Sequence, residues 1–170
     1  MKGHKGDIME IMERHKIVHC FPESIIANFE DFFTGDPVSD VIHLDHYREC
    51  TFILIKGAGA VGTAVPTVNS CSDAAGTTAA DVAYKYRKIT APNTHGAWTD
   101  ATSTGFTTAA AADTVYEIRV LANGLSGTNE FVSLTFTEDD GTAVDGACFA
   151  ILTDYRYGDS DPDTAGSDVV

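Results

Sequence analysis

Three glycines, Gly57, Gly59 and Gly62, follow the apolar run 51–56 with the spacing G-x-G-x-x-G. On a turn from strand to helix that spacing cradles the pyrophosphate of a dinucleotide. The chemistry requires a helix to open at the third glycine, because the free N–H groups and the dipole of its first turn hold the phosphate. The next six residues are Thr63-Ala64-Val65-Pro66-Thr67-Val68, where β-branched side chains and a proline oppose a propagating helical turn. The stretch therefore predicts strand, glycine-rich turn, strand, with Pro66 on an edge or at a bulge. No cofactor is expected.

The other residues able to do chemistry are scattered. His15, His19 and Cys20, and again His43, His46 and Cys50, are zinc-ligand types close in sequence. Neither set has C-x-x-C or H-E-x-x-H spacing, so they read as surface or interface histidines, with no metal expected. Asp159, Asp161 and Asp163 alternate as in the first half of a calcium loop, but the sixth place lacks glycine, the twelfth lacks glutamate and Pro162 intervenes. There is no G-x-S-x-G elbow, and the serines and cysteines have no recognisable base and orienting partner. The expectation is a protein that is not an enzyme. Trp98, Tyr84, Tyr86, Tyr155 and Tyr157 are the residue types of a sugar-binding platform, although core or subunit contacts are the commoner use of such rings.

Charge narrows the partners. Among 170 residues, 25 are acidic and 11 basic, a formal net charge of −14, which repels phosphate backbones and anionic membrane surfaces alike. A protein partner is left as the expectation. No apolar run approaches the ~20 residues of a membrane span, and the first residues lack the sections of a secretory signal, so synthesis in the cytoplasm is expected. Cys20, Cys50, Cys71 and Cys148 form no C-x-x-C pair and read as free buried thiols.

The elements that would position these residues fall into three segments. Residues 1–40 read as an N-terminal arm. Ile8, Met9, Ile11 and Met12 form a short amphipathic helix behind an Asp7 cap, too short to stand without a surface beneath it. Ile25, Ile26, Phe29, Phe32 and Phe33 form an apolar cluster before the turn Gly35-Asp36-Pro37, and the two aromatics at 32 and 33 read as an anchor. The partner contacts expected of the arm are Ile8, Ile11, Met12, Phe29, Phe32 and Phe33. Residues 41–157 read as a β-sandwich of jelly-roll or immunoglobulin-like connectivity, with strands at 41–44, 51–56, 64–71, 82–90, 114–121, 131–137 and 143–152. Tyr116, Ile118 and Val120 share one face, as do Val132, Leu134 and Phe136. Turn chemistry sits between runs at 73–77, 123–124, 126–127 and 139–142. The longest link, 91–113, holds the only tryptophan, Trp98, and reads as an ordered surface loop with weakly signalled helix at 109–112. Residues 158–170 form an acidic C-terminal tail.

The succession 50–59 (Cys-Thr-Phe-Ile-Leu-Ile-Lys-Gly-Ala-Gly), then Ser72-Asp73-Ala74-Ala75-Gly76-Thr77 and Tyr84-Lys85-Tyr86-Arg87-Lys88-Ile89, resembles small β-rich structural proteins of tailed bacteriophages. Gly105-Phe106-Thr107-Thr108, Tyr116-Glu117-Ile118-Arg119-Val120, Ala150-Ile151-Leu152 and Tyr155-Arg156-Tyr157 continue the likeness over residues 41–157. The resemblance implies a virion component on the capsid exterior: a head decoration or cement protein that binds the major capsid protein as a homo-oligomer, a trimer above all. The alternative is another virion part, a head–tail connector, a tail protein or a glycan-binding head fibre.

Overall fold

The computed structural model describes residues 15–21, 31–57 and 61–155. It is all-β, with eleven strands among the described residues: β1 (Lys16–Val18), β2 (Ile42–His43), β3 (Tyr47–Lys56), β4 (Ala64–Cys71), β5 (Ala80–Val82), β6 (Tyr84–Ala91), β7 (Thr94–His95), β8 (Thr99–Ala101), β9 (Thr114–Leu121), β10 (Phe131–Glu138) and β11 (Gly146–Tyr155). They form two antiparallel sheets. The large one runs β1-β11-β3-β9-β6-β7, with β8 also on β6, and the small one runs β2-β10-β4-β5. Four of the antiparallel pairs are nested in the chain: β1 with β11, β2 with β10, β3 with β9 and β4 with β5. Strands β6 to β8 are added beyond β9.

Alternation decides which side chains meet. In β10, Val132, Leu134 and Phe136 are fully buried while Thr135 and Thr137 point away from them, the period of two that a pleated strand imposes. Phe52, Leu54, Ile118, Ala150 and Leu152 do the same from the large sheet, and both sets belong to one core cluster. The strand expected after the third glycine is β4, which begins at Ala64. Gly62 itself is required by close approach: a Cβ there would lie 2.0 Å from the Thr142 carbonyl oxygen and 2.6 Å from Val144 Cγ2. Pro66 costs the ladder nothing. Its cross-strand partner Phe136 sends its N–H to the Pro37 carbonyl instead, 2.9 Å away, and β5 pairs with β4 only from Val68 onward.

Among the described residues, packing joins both sides of the expected boundary at residue 40. Phe32 and Phe33, read as arm contacts for a partner, are 3% and 0% exposed in the chain's own core. Their rings, with Phe21, surround Phe136 at centroid distances of 5.6, 5.4 and 5.9 Å. The Phe32 N–H donates to the Val144 carbonyl at 2.8 Å, and the Asp40 N–H to the Cys20 carbonyl at 2.7 Å. A pair of aromatics beside a turn satisfies an interior as well as an interface, and here the interior takes them. Ile8, Ile11, Met12 and Phe29, the short helix and the acidic tail lie outside the described residues.

The link 91–113 is ordered as β7, β8 and a return segment that covers the inner face of β6. Phe106 stacks on Tyr86 at 3.6 Å, and Gly105, at φ +79°, lets the chain pass the Pro66 carbonyl, where a Cβ would come within 2.3 Å. No helix forms at 109–112; the Ala109 N–H donates to the Tyr116 hydroxyl at 2.7 Å, outside any helical ladder.

Candidate interaction surface

Strands β3 and β11 differ from the rest in sequence. Phe52-Ile53-Leu54-Ile55 and Cys148-Phe149-Ala150-Ile151-Leu152 carry no polar residue at the positions that should face water. An antiparallel sheet solvated on one side reads as clean alternation, whereas strands covered on both sides read as continuous apolar runs. Register assembles these outward residues into rows. Phe149 stands beside Ile53, then Glu117 and Arg87; Ala147 beside Ile55, Val115 and Ile89; Ile17 beside Ile151, Thr51, Arg119 and Lys85. On β1, β11 and β3 this face is apolar at Ile17, Ile53, Ile55, Ala147, Phe149 and Ile151, and polar at Thr51 and at the Thr153–Glu49 pair beyond them. Ile17 is 66% exposed and Ile55 39%, while Ile53, Phe149 and Ile151 are half-buried.

The other half, on β9 and β6, is an ionic network held by Trp98. The indole from the 91–113 link lies between two guanidinium groups, with Arg87 4.6 Å and Arg119 4.2 Å from the ring centroid, distances at which the ring quadrupole attracts a cation. Arg87 Nε donates to Glu117 at 2.5 Å, Arg119 reaches Glu49 at 3.7 Å, and Lys85 pairs with Asp100 across β6 and β8. Three basic and three acidic groups cancel, so this face is neutral in a chain whose net charge is −14. A cleft of about 410 Å³ opens at its edge, lined by Tyr84, Lys85, Ala101, Arg119 and Leu121 among others.

Of the residues singled out for chemistry, His43 and His46 are brought together, their ring centroids 6.4 Å apart, and the others are not. His15 and His19 are exposed while Cys20 is buried, and Cys50 faces the core while the His43 ring stacks on Phe131 at 4.4 Å. Among the described residues no three His, Cys, Asp or Glu side chains gather to hold a metal ion. Asp159, Asp161, Asp163 and Tyr157 lie outside the described residues. The remaining aromatic residues are dispersed: Tyr84 is buried and donates to the Pro66 carbonyl, Tyr86 stacks on Phe106, Trp98 is between two arginines and Tyr155 packs on Tyr47.

Buried titratable groups serve the fold. Lys56, 1% exposed, donates from Nζ to the carbonyls of Gly62 and Ala109, each at 2.7 Å. It ties the glycine-rich turn to the 91–113 link, and burial lowers its pKa, opposed by Asp140. Burial pushes the Tyr84 hydroxyl and the Cys50 and Cys148 thiols well up, so the thiols stay protonated at neutral pH and are poor nucleophiles.

No family model, curated protein or solved structure matches this chain. The functional reading therefore rests on the surface. Ile53, Ile55, Phe149 and Ile151 are not among the residues singled out from the sequence. The unbroken apolar runs of β3 and β11 are the signal that identifies them.

Proposed function

We propose that this chain is a non-enzymatic structural subunit of a virion, a capsid decoration or cement protein, that acts by covering other proteins. Its domain is a β-sandwich of jelly-roll connectivity. That reading is supported by the four nested antiparallel pairs, whose members are divided two and two between the sheets. The observation that carries the function is the apolar patch on the outer face of the large sheet, a surface that burial against a protein would stabilise at about 25 cal/mol per Å². The net charge of −14 disfavours nucleic acid and anionic lipid as the covering partner.

The domain forms a homo-oligomer, and Ile8, Ile11, Met12 and Phe29, before and between the described segments, contact the major capsid protein. A cut at residue 33 would strip β1, Phe21, Phe32 and Phe33 from the core, so the test is deletion of residues 1–14. The shortened chain is expected to fold and to lose binding to purified particles imaged by electron microscopy. Undiminished density on the shell would refute the contact role of Ile8, Ile11 and Met12, and absence of the full chain from particles would refute the virion reading.

A further inference from the structure

We infer that Cys20 and Cys148 are a modification site: exposed to a small-molecule disulfide such as oxidised glutathione, they join in an intramolecular bond that staples the N-terminal segment to β11. The inference goes beyond the structural reading and does not rest on it. In this structure the four cysteines are free thiols, the state that a reducing compartment maintains and an oxidising one does not.

Register brings the two together. β1 pairs with β11 as Lys16 with Leu152, Ile17 with Ile151 and Val18 with Ala150, and the same count carried two residues past the end of β1 sets Cys20 opposite Cys148. Val18, Cys20, Cys148 and Ala150 all face the core, with Cys20 0% and Cys148 7% exposed. The two thiols therefore lie on one side of the sheet, in hydrogen-bond contact. Opposed residues of an antiparallel ladder have Cα atoms about 4.5 or about 5.5 Å apart, according to the kind of pair. Both values fall inside the roughly 4.4–6.8 Å that a disulfide spans. The other two cysteines have no such partner: Cys50 stands between Leu152 and Val120, and Cys71 is opposite Phe131, its Sγ 3.9 Å from Ser133 Oγ.

While β1 is docked, burial shields both thiols from an oxidant. β1 has three residues and lies at the end of its sheet, and a short edge element of this kind opens locally at less cost than the sheet it borders. In the opened chain the Cys20 thiol gives up its proton and its thiolate attacks one sulfur of the oxidant. That S–S bond breaks, and the expelled half takes up a proton. Cys148, deprotonated in turn, attacks the Cys20 sulfur of the mixed disulfide and expels the second half, which is protonated likewise. Two cysteine thiols lose two electrons, and the oxidant's disulfide is reduced to two thiols. The loop closed from residue 20 to residue 148 contains β2 to β10, and a cross-link stabilises chiefly by removing disorder from the unfolded chain, more so for a long loop.

Treatment of the full chain with oxidised glutathione at about pH 8, where an accessible thiol is partly ionised, tests it against a reduced control. After alkylation of the remaining thiols in denaturant, mass mapping should show two thiols lost and a tryptic pair joining residues 17–48 to residues 120–156. Trypsin leaves the four cysteines in four different peptides, so every other pairing is distinguishable. The oxidised chain should melt about 10 °C above the reduced one, and dithiothreitol should reverse the shift. Cys50→Ala should keep both the bond and the shift, and Cys148→Ala should lose both. The map of the unaltered chain stands whether or not these variants fold. A second sample, refolded in the same oxidant from the reduced and denatured state, removes any protection by β1. Four free thiols after both treatments overturn the proposal. So does a bond through Cys50 or Cys71, or a Cys20–Cys148 bond that leaves the melting temperature unchanged or lowers it. Particle binding is a separate measurement, so failure here spares the virion reading.

Discussion

On the small sheet the residues turned away from the core include Thr67, Asn69, Ser133, Thr135 and Asp81 beside Val65, Cys71 and Phe131, and three of them are joined in a row: Thr135 Oγ1 donates to Asn69 Oδ1 at 3.0 Å, and Asn69 Nδ2 to Asp81. On the large sheet the corresponding positions of β3 and β11 hold Ile53, Ile55, Phe149 and Ile151. Both sheets give the same core the same kind of inner face, so the interior does not explain the difference. A polar outer face is stable in water by itself. An apolar one costs solubility unless something covers it, and that asymmetry is what sets the large sheet's outer face apart.

Substitutions separate the shared interior from the two unlike exteriors. The largest effect belongs to the interior: Phe136→Ala, which empties the space between Phe21, Phe32 and Phe33, should cost about 3–5 kcal/mol in chemical denaturation and depress both sheets together. Loss of the large sheet alone would break the picture of one core.

Alkaline pH comes next and again acts between the sheets. Tyr84 and Tyr116, ordinarily at 10.0, and Cys50, Cys71 and Cys148, ordinarily at 9.0, are all raised, chiefly by burial. Above about pH 9 the unfolded chain releases these protons while the folded chain retains them, so stability present below that pH is lost as pH rises. Lys56 runs the other way, because burial lowers its pKa from 10.5 and the unfolded chain holds the proton longer. Five groups against one predict a falling melting temperature from pH 8.5 to 10.5, read by calorimetry. A rising one would show that Lys56 dominates.

A smaller effect sharpens the contrast between exteriors. Trp98→Ala removes the ring between Arg87 and Arg119 and should cost about 1–2 kcal/mol on the large sheet. Thr135→Val, which loses one half-buried side-chain bond to Asn69, should stay within about 0.5 kcal/mol. Equal costs for the two would erase the distinction between a built face and a wet one.

Much of the fold is legible in the residues. Strands β4, β9 and β10 emerge from alternation and turn chemistry almost to the residue, because one wet face leaves a period of two in the sequence. β1 and β5, three residues each, carry too short a pattern to register, and β7 and β8 are hidden in a link rich in Thr and Ala. Phe32 and Phe33 illustrate a different limit: hydrophobicity says that a ring will be covered and does not say by which chain. The candidate surface was legible in part, since the missing polar positions of β3 and β11 can be counted along the chain. Its neighbouring network was not, because pairing Arg119 with Glu49 and seating Trp98 between Arg87 and Arg119 depend on strand register and on a fold-back of the 91–113 link.

Hydroxyl-radical footprinting of the full chain, compared free and bound to purified particles, reads the two outer faces at once. Phe149, Ile53 and Ile151 should become protected on binding, while Phe131 and His43 on the small sheet react equally throughout. Reactivity of Phe149 and Ile53 that never changes, or protection that appears on the small sheet instead, would contradict a working surface on the large sheet.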